Sequence, residues 1–217
     1  MSELFDEVDE EVRRDQLKKL WDQYSLYIIA GALLIIAGVG GWRGYQYTEA
    51  KKAAEAGSSF DQAVELSEAN KPAEAEAAFN ALAAKAPSGY RMLARLRAAA
   101  ELGGSDPKAA AKMYDDIAAD RSVGAEQQDL ARVRAAGLLL ETSGYPDMLQ
   151  RLEASAAPGA TFRHTARELL ALSAWRGGDA TAARKWLDLI ANAGETPPSL
   201  RSRAEAMQAL LPPVAKS

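Results

Sequence analysis

No cysteine occurs among the 217 residues, and histidine occurs once, at His164. The first absence excludes disulfides, thiolate zinc sites and cysteine nucleophiles. It suits an oxidising compartment, where a stray thiol is a liability, although cytosolic chains can also lack cysteine. With one histidine there is no His/carboxylate cluster at metal-ligand spacing. A Ser-His-Asp device would have to use His164, yet no Gly-x-Ser-x-Gly elbow is present. Walker loops and a Gly-x-Gly-x-x-Gly turn after a strand are missing too. Asp115 and Asp116 are sequence neighbours, so a helix points them apart and they cannot act as a paired acid and base. The chain reads as a non-enzyme with no cofactor, no metal and no small-molecule substrate.

Charge is missing from residues 23 to 42, QYSLYIIAGALLIIAGVGGW. A helix of twenty residues rises about 30 Å, the thickness of a bilayer's hydrocarbon core. Trp21, Tyr24 and Tyr27 flank one end and Trp42, Tyr45 and Tyr47 the other, the places where amphipathic rings meet headgroups. Ala37, Gly40, Gly41 and Gly44 form small-xxx-small pairs, 37 with 41 and 40 with 44, a candidate face for membrane-helix packing. A cleaved signal peptide would need a short basic start, a shorter apolar run and a nearby Ala-x-Ala site. Here a charged segment comes first and GVGGWRGYQY holds no such site, so a retained signal-anchor over 23–43 is expected. Arg13, Arg14, Lys18 and Lys19 precede the run, while Arg43, Lys51 and Lys52 follow it, a bias that places the N-terminus in the cytoplasm.

Basic excess is absent as well. The first 22 residues hold four basic and eight acidic side chains, and the remainder hold 22 of each. The net charge of −4 therefore resides in the head, and the rest of the chain carries no footprint for nucleic acid. Leu4, Phe5, Val8, Val12, Leu20 and Trp21 recur at near-helical spacing in that head. It reads as a short amphipathic docking helix or as a solvated acidic tail.

Strands have no signature, since no window alternates β-branched residues at period two. What is abundant is alanine with leucine, glutamate, lysine and arginine, the strong helix formers. Breaks recur at 70–72, 86–89, 103–107, 122–124, 143–146, 158–159, 177–179 and 194–198, each rich in Gly, Pro, Ser, Asn or Asp. Phe79, Tyr114, Leu152 and Trp186 stand 35, 38 and 34 residues apart. Four residues before each lie Ala75, Ala110, Met148 and Ala182, and twelve before those Ala63, Ala98, Ala136 and Leu170. This resembles the tetratricopeptide pattern, in which small residues let paired helices approach and a bulky one fills the gap to the next pair. The third unit is the most degenerate, with Met148 and an inserted Tyr145-Pro146 turn, and is expected to pack irregularly.

The expected fold is all-α: one transmembrane helix followed by an α-solenoid of about four helix pairs. Its parts are an acidic cytoplasmic head (1–22), a membrane helix (23–43), a juxtamembrane helical linker (44–57), a repeat domain (58–212) and a tail (213–217). With Gly41-Trp42-Arg43-Gly44-Tyr45 at the outer end of the span, this architecture resembles the YfgM-type ancillary subunit of the SecYEG translocon. The resemblance implies a single-pass protein of a bacterial inner membrane with a periplasmic repeat body. Its implied partners are translocon subunits and a membrane-anchored periplasmic chaperone. The alternatives are a scaffold for an envelope or division complex and a structural supernumerary subunit of another membrane complex. The repeat grid places Phe60, Val64, Met92, Arg95, Leu130, Val133, His164, Arg167 and Trp175 on the face made by the first helix of each pair. There apolar residues would hold an extended segment while Arg95 and Arg167 pair with its acids or its terminal carboxylate.

Overall fold

The computed structural model describes residues 3–212, with side chains for 18, 19, 21, 23–27 and 29–212. The expected tail and the apolar head positions Leu4, Phe5, Val8, Val12 and Leu20 lie outside the described side chains. Nine helices occupy the described residues: α1 (Glu3–Glu68), α2 (Pro72–Lys85), α3 (Ser88–Leu102), α4 (Pro107–Ala118), α5 (Ala125–Leu139), α6 (Tyr145–Leu152), α7 (Arg163–Arg176), α8 (Ala180–Ala191) and α9 (Pro198–Leu210). The chain forms two compact units, 1–54 and 55–217.

In the first unit α1 carries the uncharged run. Among the described residues it is the one helix long and apolar enough to cross a membrane, with a mean hydropathy of 1.9 over its most apolar 18 residues. None of that window is buried, which separates it from the core helix of a folded body.

The second unit is a chain of small cores. Ala56 and Ala63 of α1, Phe79 and Leu82 of α2, and Ala94 and Ala98 of α3 form the first. Ala99 of α3, Tyr114 and Ile117 of α4, and Ala131 and Ala135 of α5 form the second. The third joins Val133 and Ala136 of α5, Met148 and Leu152 of α6, and Ala166 and Leu170 of α7. The fourth joins Ala171 and Ala174 of α7, Leu187 and Ile190 of α8, and Ala204 of α9. Helices α3, α5 and α7 thus each serve two cores. Among the described residues, eighteen of the 29 buried apolar side chains are alanines, so contacts between helices are set by methyl groups. Phe79, Tyr114 and Leu152 are the large side chains placed between successive pairs, and all three are buried.

Turn chemistry fixes where each helix stops. Asn70 takes the left-handed conformation (φ 58°) after α1, and Lys71 N–H reaches back to the Leu66 carbonyl at 3.0 Å. Gly178 does the same after α7 (φ 82°), where Asp179 N–H meets the Ala174 carbonyl at 2.9 Å. The Asp179 carboxylate then accepts from Ala182 N–H at 2.8 Å and caps α8. Asp106 caps α4 in the same way through Ala109 N–H at 2.9 Å, ahead of Pro107.

The third pair departs from the others. Helix α6 has only eight residues, and turns follow it to residue 162. Polar bonds accompany this lapse: Arg151 of α6 pairs with Asp115 of α4, and Ser155 donates to Asp129 of α5. Tyr145 packs against both the third and the fourth core, and its hydroxyl accepts from Trp186 Nε1 at 2.8 Å. Trp186 is half-buried, and Tyr145 satisfies its indole N–H.

Replacing Phe79, 0 % exposed, by alanine is expected to lower stability by about 3–5 kcal/mol, whereas Trp186→Phe, which loses mainly one hydrogen bond, costs about 1 kcal/mol. Urea unfolding of the full-length chain in detergent, followed by circular dichroism, orders the two; equal losses would contradict this account of the bulky positions.

Candidate protein-docking surfaces

The nine expected groove residues do not share one open surface. Phe60 and Val64 are half-buried against the first core. The Phe60 ring lies 5.2 Å from that of Phe79 and 6.1 Å from that of Tyr90. Gly57 clears the way for Tyr90, since a Cβ there would stand 2.8 Å from its hydroxyl. Leu130 is half-buried and Val133 is buried in the third core, while Trp175 is exposed. Met92 and Arg95 come together in one depression of about 280 Å³, bordered by the turn from Asp120 to Gly124.

That turn is a polar lock. Arg95 Nη1 lies 2.6 Å from Asp120 Oδ2. Ser122 donates to Asp120 Oδ1 through its hydroxyl at 2.7 Å and its N–H at 3.0 Å. Gln128 Nε2 reaches the carbonyls of Asp120 and Val123 at 2.8 and 2.9 Å. The Ser122 hydroxyl, then the Arg95 guanidinium and the Ser122 amide, hold the Asp120 carboxyl down to about 2. A cation facing a rigid carboxylate beside Met92 can exchange that carboxylate for one from a partner, or can accept a polar partner group beside it.

At the other end of the body Arg167, expected on an open face, is buried. Its Nε donates to the Ala156 carbonyl and its Nη1 to the Leu189 carbonyl, each at 2.9 Å. The short α6 and the turns after it bring Ala156 within reach, so the guanidinium ties the irregular third unit to α8. Arg167 also lines a second depression of about 640 Å³ along α8, whose other charged groups are Arg184, Lys185 and Asp188. The repeat grid did not single out those three; the signal for them is a polar stripe on α8 between its buried positions. His164 is half-buried, with Nδ1 3.5 Å from the Thr196 hydroxyl and Nε2 without a partner. Burial first, then Arg163 and Arg167, pushes its imidazole below the ordinary range. Asp115 and Asp116 do point apart, to Arg151 and to Lys112. Ala37, Gly40, Gly41 and Gly44 are all exposed on α1, and a Cβ at any of the three glycines would meet nothing within 4 Å.

Helix pairs stacked in sequence, bearing charged depressions, have the architecture of a helical repeat array. The comparison with family models gives that class its place: the tetratricopeptide repeat-like domain matches residues 18–186. This chain belongs to that family, whose domains are typically non-catalytic modules of protein–protein interaction. No curated protein and no solved structure matches the chain.

Removing Arg95 tests the polar lock. In Arg95→Ala the Asp120 carboxyl is expected to rise from about 2 without returning to its unfolded value near 3.9, because both Ser122 bonds remain. Asp120 stabilises the fold fully above that unfolded value, and the contribution is lost as pH falls toward 2. Carboxyl-detected NMR titration reads the shift; an unchanged value would remove Arg95 from the lock.

Proposed function

We propose that this protein is a single-pass membrane protein whose repeat body docks protein partners outside the cytoplasm. The observation that carries the reading is the uncharged run of α1, of which nothing is buried, next to a body that buries its own large apolar side chains. A helix apolar on every face is unfavourable in water and favourable in lipid. On this reading the head (1–22) is cytoplasmic, residues 23–43 span a bacterial inner membrane, 44–57 form the linker, and 58–212 lie in the periplasm. The Lys/Arg excess ahead of the span supports that orientation. The architecture, with the Trp42-Arg43 step, supports an ancillary role at the Sec translocon, handing translocated chains to a periplasmic chaperone. Met92 and Arg95 form the part of the first-helix face best suited to contact a partner, because they share one depression.

Topology is tested with Ser2→Cys and Ser217→Cys in a chain that otherwise has no cysteine. An impermeant maleimide applied to intact cells is expected to label Ser217→Cys alone; labelling of Ser2→Cys alone would reverse the orientation. Function is tested by purifying the full-length chain from native membranes in mild detergent and identifying what accompanies it. Translocon subunits with a periplasmic chaperone are expected. Division or respiratory subunits would instead support a scaffold or supernumerary role. Partners that persist after deletion of 55–217 would assign the association to the membrane helix.

A further inference from the structure

Arg167 is 5 % exposed, yet the two acceptors it holds, the carbonyls of Ala156 and Leu189, are neutral. No ion pair compensates it among the described residues. Glu168, next to it in the chain, pairs with Arg203 at 2.5 Å, and Glu195 pairs with Arg163 at 2.5 Å. A buried charge without a counter-charge is unfavourable, and an incoming anion relieves that penalty.

The depression that Arg167 lines runs along one stripe of α8, where Arg184, Lys185, Asp188 and Leu189 recur at three- and four-residue spacing. Arg184 uses one Nη on the Pro212 carbonyl at 2.9 Å, and Lys185 is exposed. Asp188 is the one acidic group among the lining residues, and its Oδ1 accepts from Gln208 at 2.6 Å. Three cations thus face one engaged carboxylate. Leu189, 41 % exposed, lies beside them. A phosphate has no use for this aliphatic surface, whereas a peptide brings both a carboxylate and a neighbouring side chain.

We propose that this depression is a docking subsite for an extended acidic segment of a partner protein. An Asp or Glu carboxylate of that segment meets Arg167, Arg184 and Lys185, and an aliphatic neighbour rests on Leu189. The subsite joins Arg167 of α7 to a stripe on α8, the second helix of that pair, and shares no residue with the depression of Met92 and Arg95. It rests on the reading of the body as a docking module and names the chemistry of one partner.

The test uses full-length protein in detergent and two fluorescent, end-blocked peptides, acetyl-Gly-Leu-Glu-Leu-Gly-amide and its glutamine counterpart. The glutamate peptide is expected to bind about tenfold more tightly, the ratio that one charge-assisted contact supplies, and to lose that advantage as salt is raised. The Arg167 Nε resonance is expected to shift with the glutamate peptide alone. Arg184→Glu with Lys185→Glu, at positions that are not buried, is expected to abolish the preference while thermal unfolding stays unchanged. Equal binding of the two peptides, no binding of either, or displacement by an equal concentration of inorganic phosphate would overturn the subsite. A double variant that fails on the peptide yet co-purifies every partner would show that this subsite recruits none of them. A wild-type chain that co-purifies no partner, whatever the peptide does, would remove the docking function itself.

Discussion

Close approach of helices at alanine is the constraint on which the body depends. At Ala63, Ala75, Ala98, Ala110 and Ala136 a methyl group is all that separates neighbouring helices, and each of these residues is 0 % exposed. A methyl brings little apolar area out of water, and at about 25 cal/mol per Å² it contributes little by itself. What it permits is contact between helix surfaces along their length, at interior density. The larger stabilisation then comes from the few bulky side chains set between pairs, Phe79, Tyr114 and Leu152. Each needs the alanines around it, because a bigger residue at those positions would push the helices apart and open a gap beside the ring or the leucine.

Where that scheme lapses, polar chemistry takes over. The third pair has Met148 in place of alanine and an eight-residue α6, and around it the body gathers bonds between distant side chains and backbone. Arg151 meets Asp115, Ser155 meets Asp129, and Arg176 donates to the carbonyls of Glu141 and Ser143. Arg167 belongs to the same set. Guanidinium groups suit this work because their planar forks satisfy several carbonyls at once, as irregular backbone requires. The charge that stitches the third unit to α8 also borders the depression along α8.

The repeat skeleton was legible because it rests on period and residue size. The positions 63, 98, 136 and 170, and 75, 110 and 148, are all buried as the spacing implied, whereas Ala182 is half-buried and Ala183 beside it is buried. Trp186 is half-buried, with its N–H satisfied at Tyr145, a residue that reads in sequence as an insertion and serves in the fold as a partner. The candidate surface was less legible. An ideal repeat grid puts Arg95 and Arg167 on equivalent faces, but one is paired with Asp120 and the other is buried against Ala156. The difference comes from turns, 120–124 and 153–162, whose conformation depends on side-chain hydrogen bonds that no periodicity encodes. Arg184 and Lys185 escaped notice because a basic pair on an Ala-rich helix looks the same whether or not a buried cation stands behind it.

Because α3, α5 and α7 each belong to two cores, the body is wired in series. Among the described residues, the first two cores and the last two share apolar members only on α5, whose Ala131 and Ala135 join one core while Val133 and Ala136 join the other. Strain or ordering carried by apolar contacts from one end to the other crosses that helix. The Arg151–Asp115 pair is the one described ion pair that bypasses it, linking α6 to α4, and it is partly open to solvent. Its strength falls as ions screen it. Raising ionic strength therefore loosens the one described ion pair that joins the two halves outside α5.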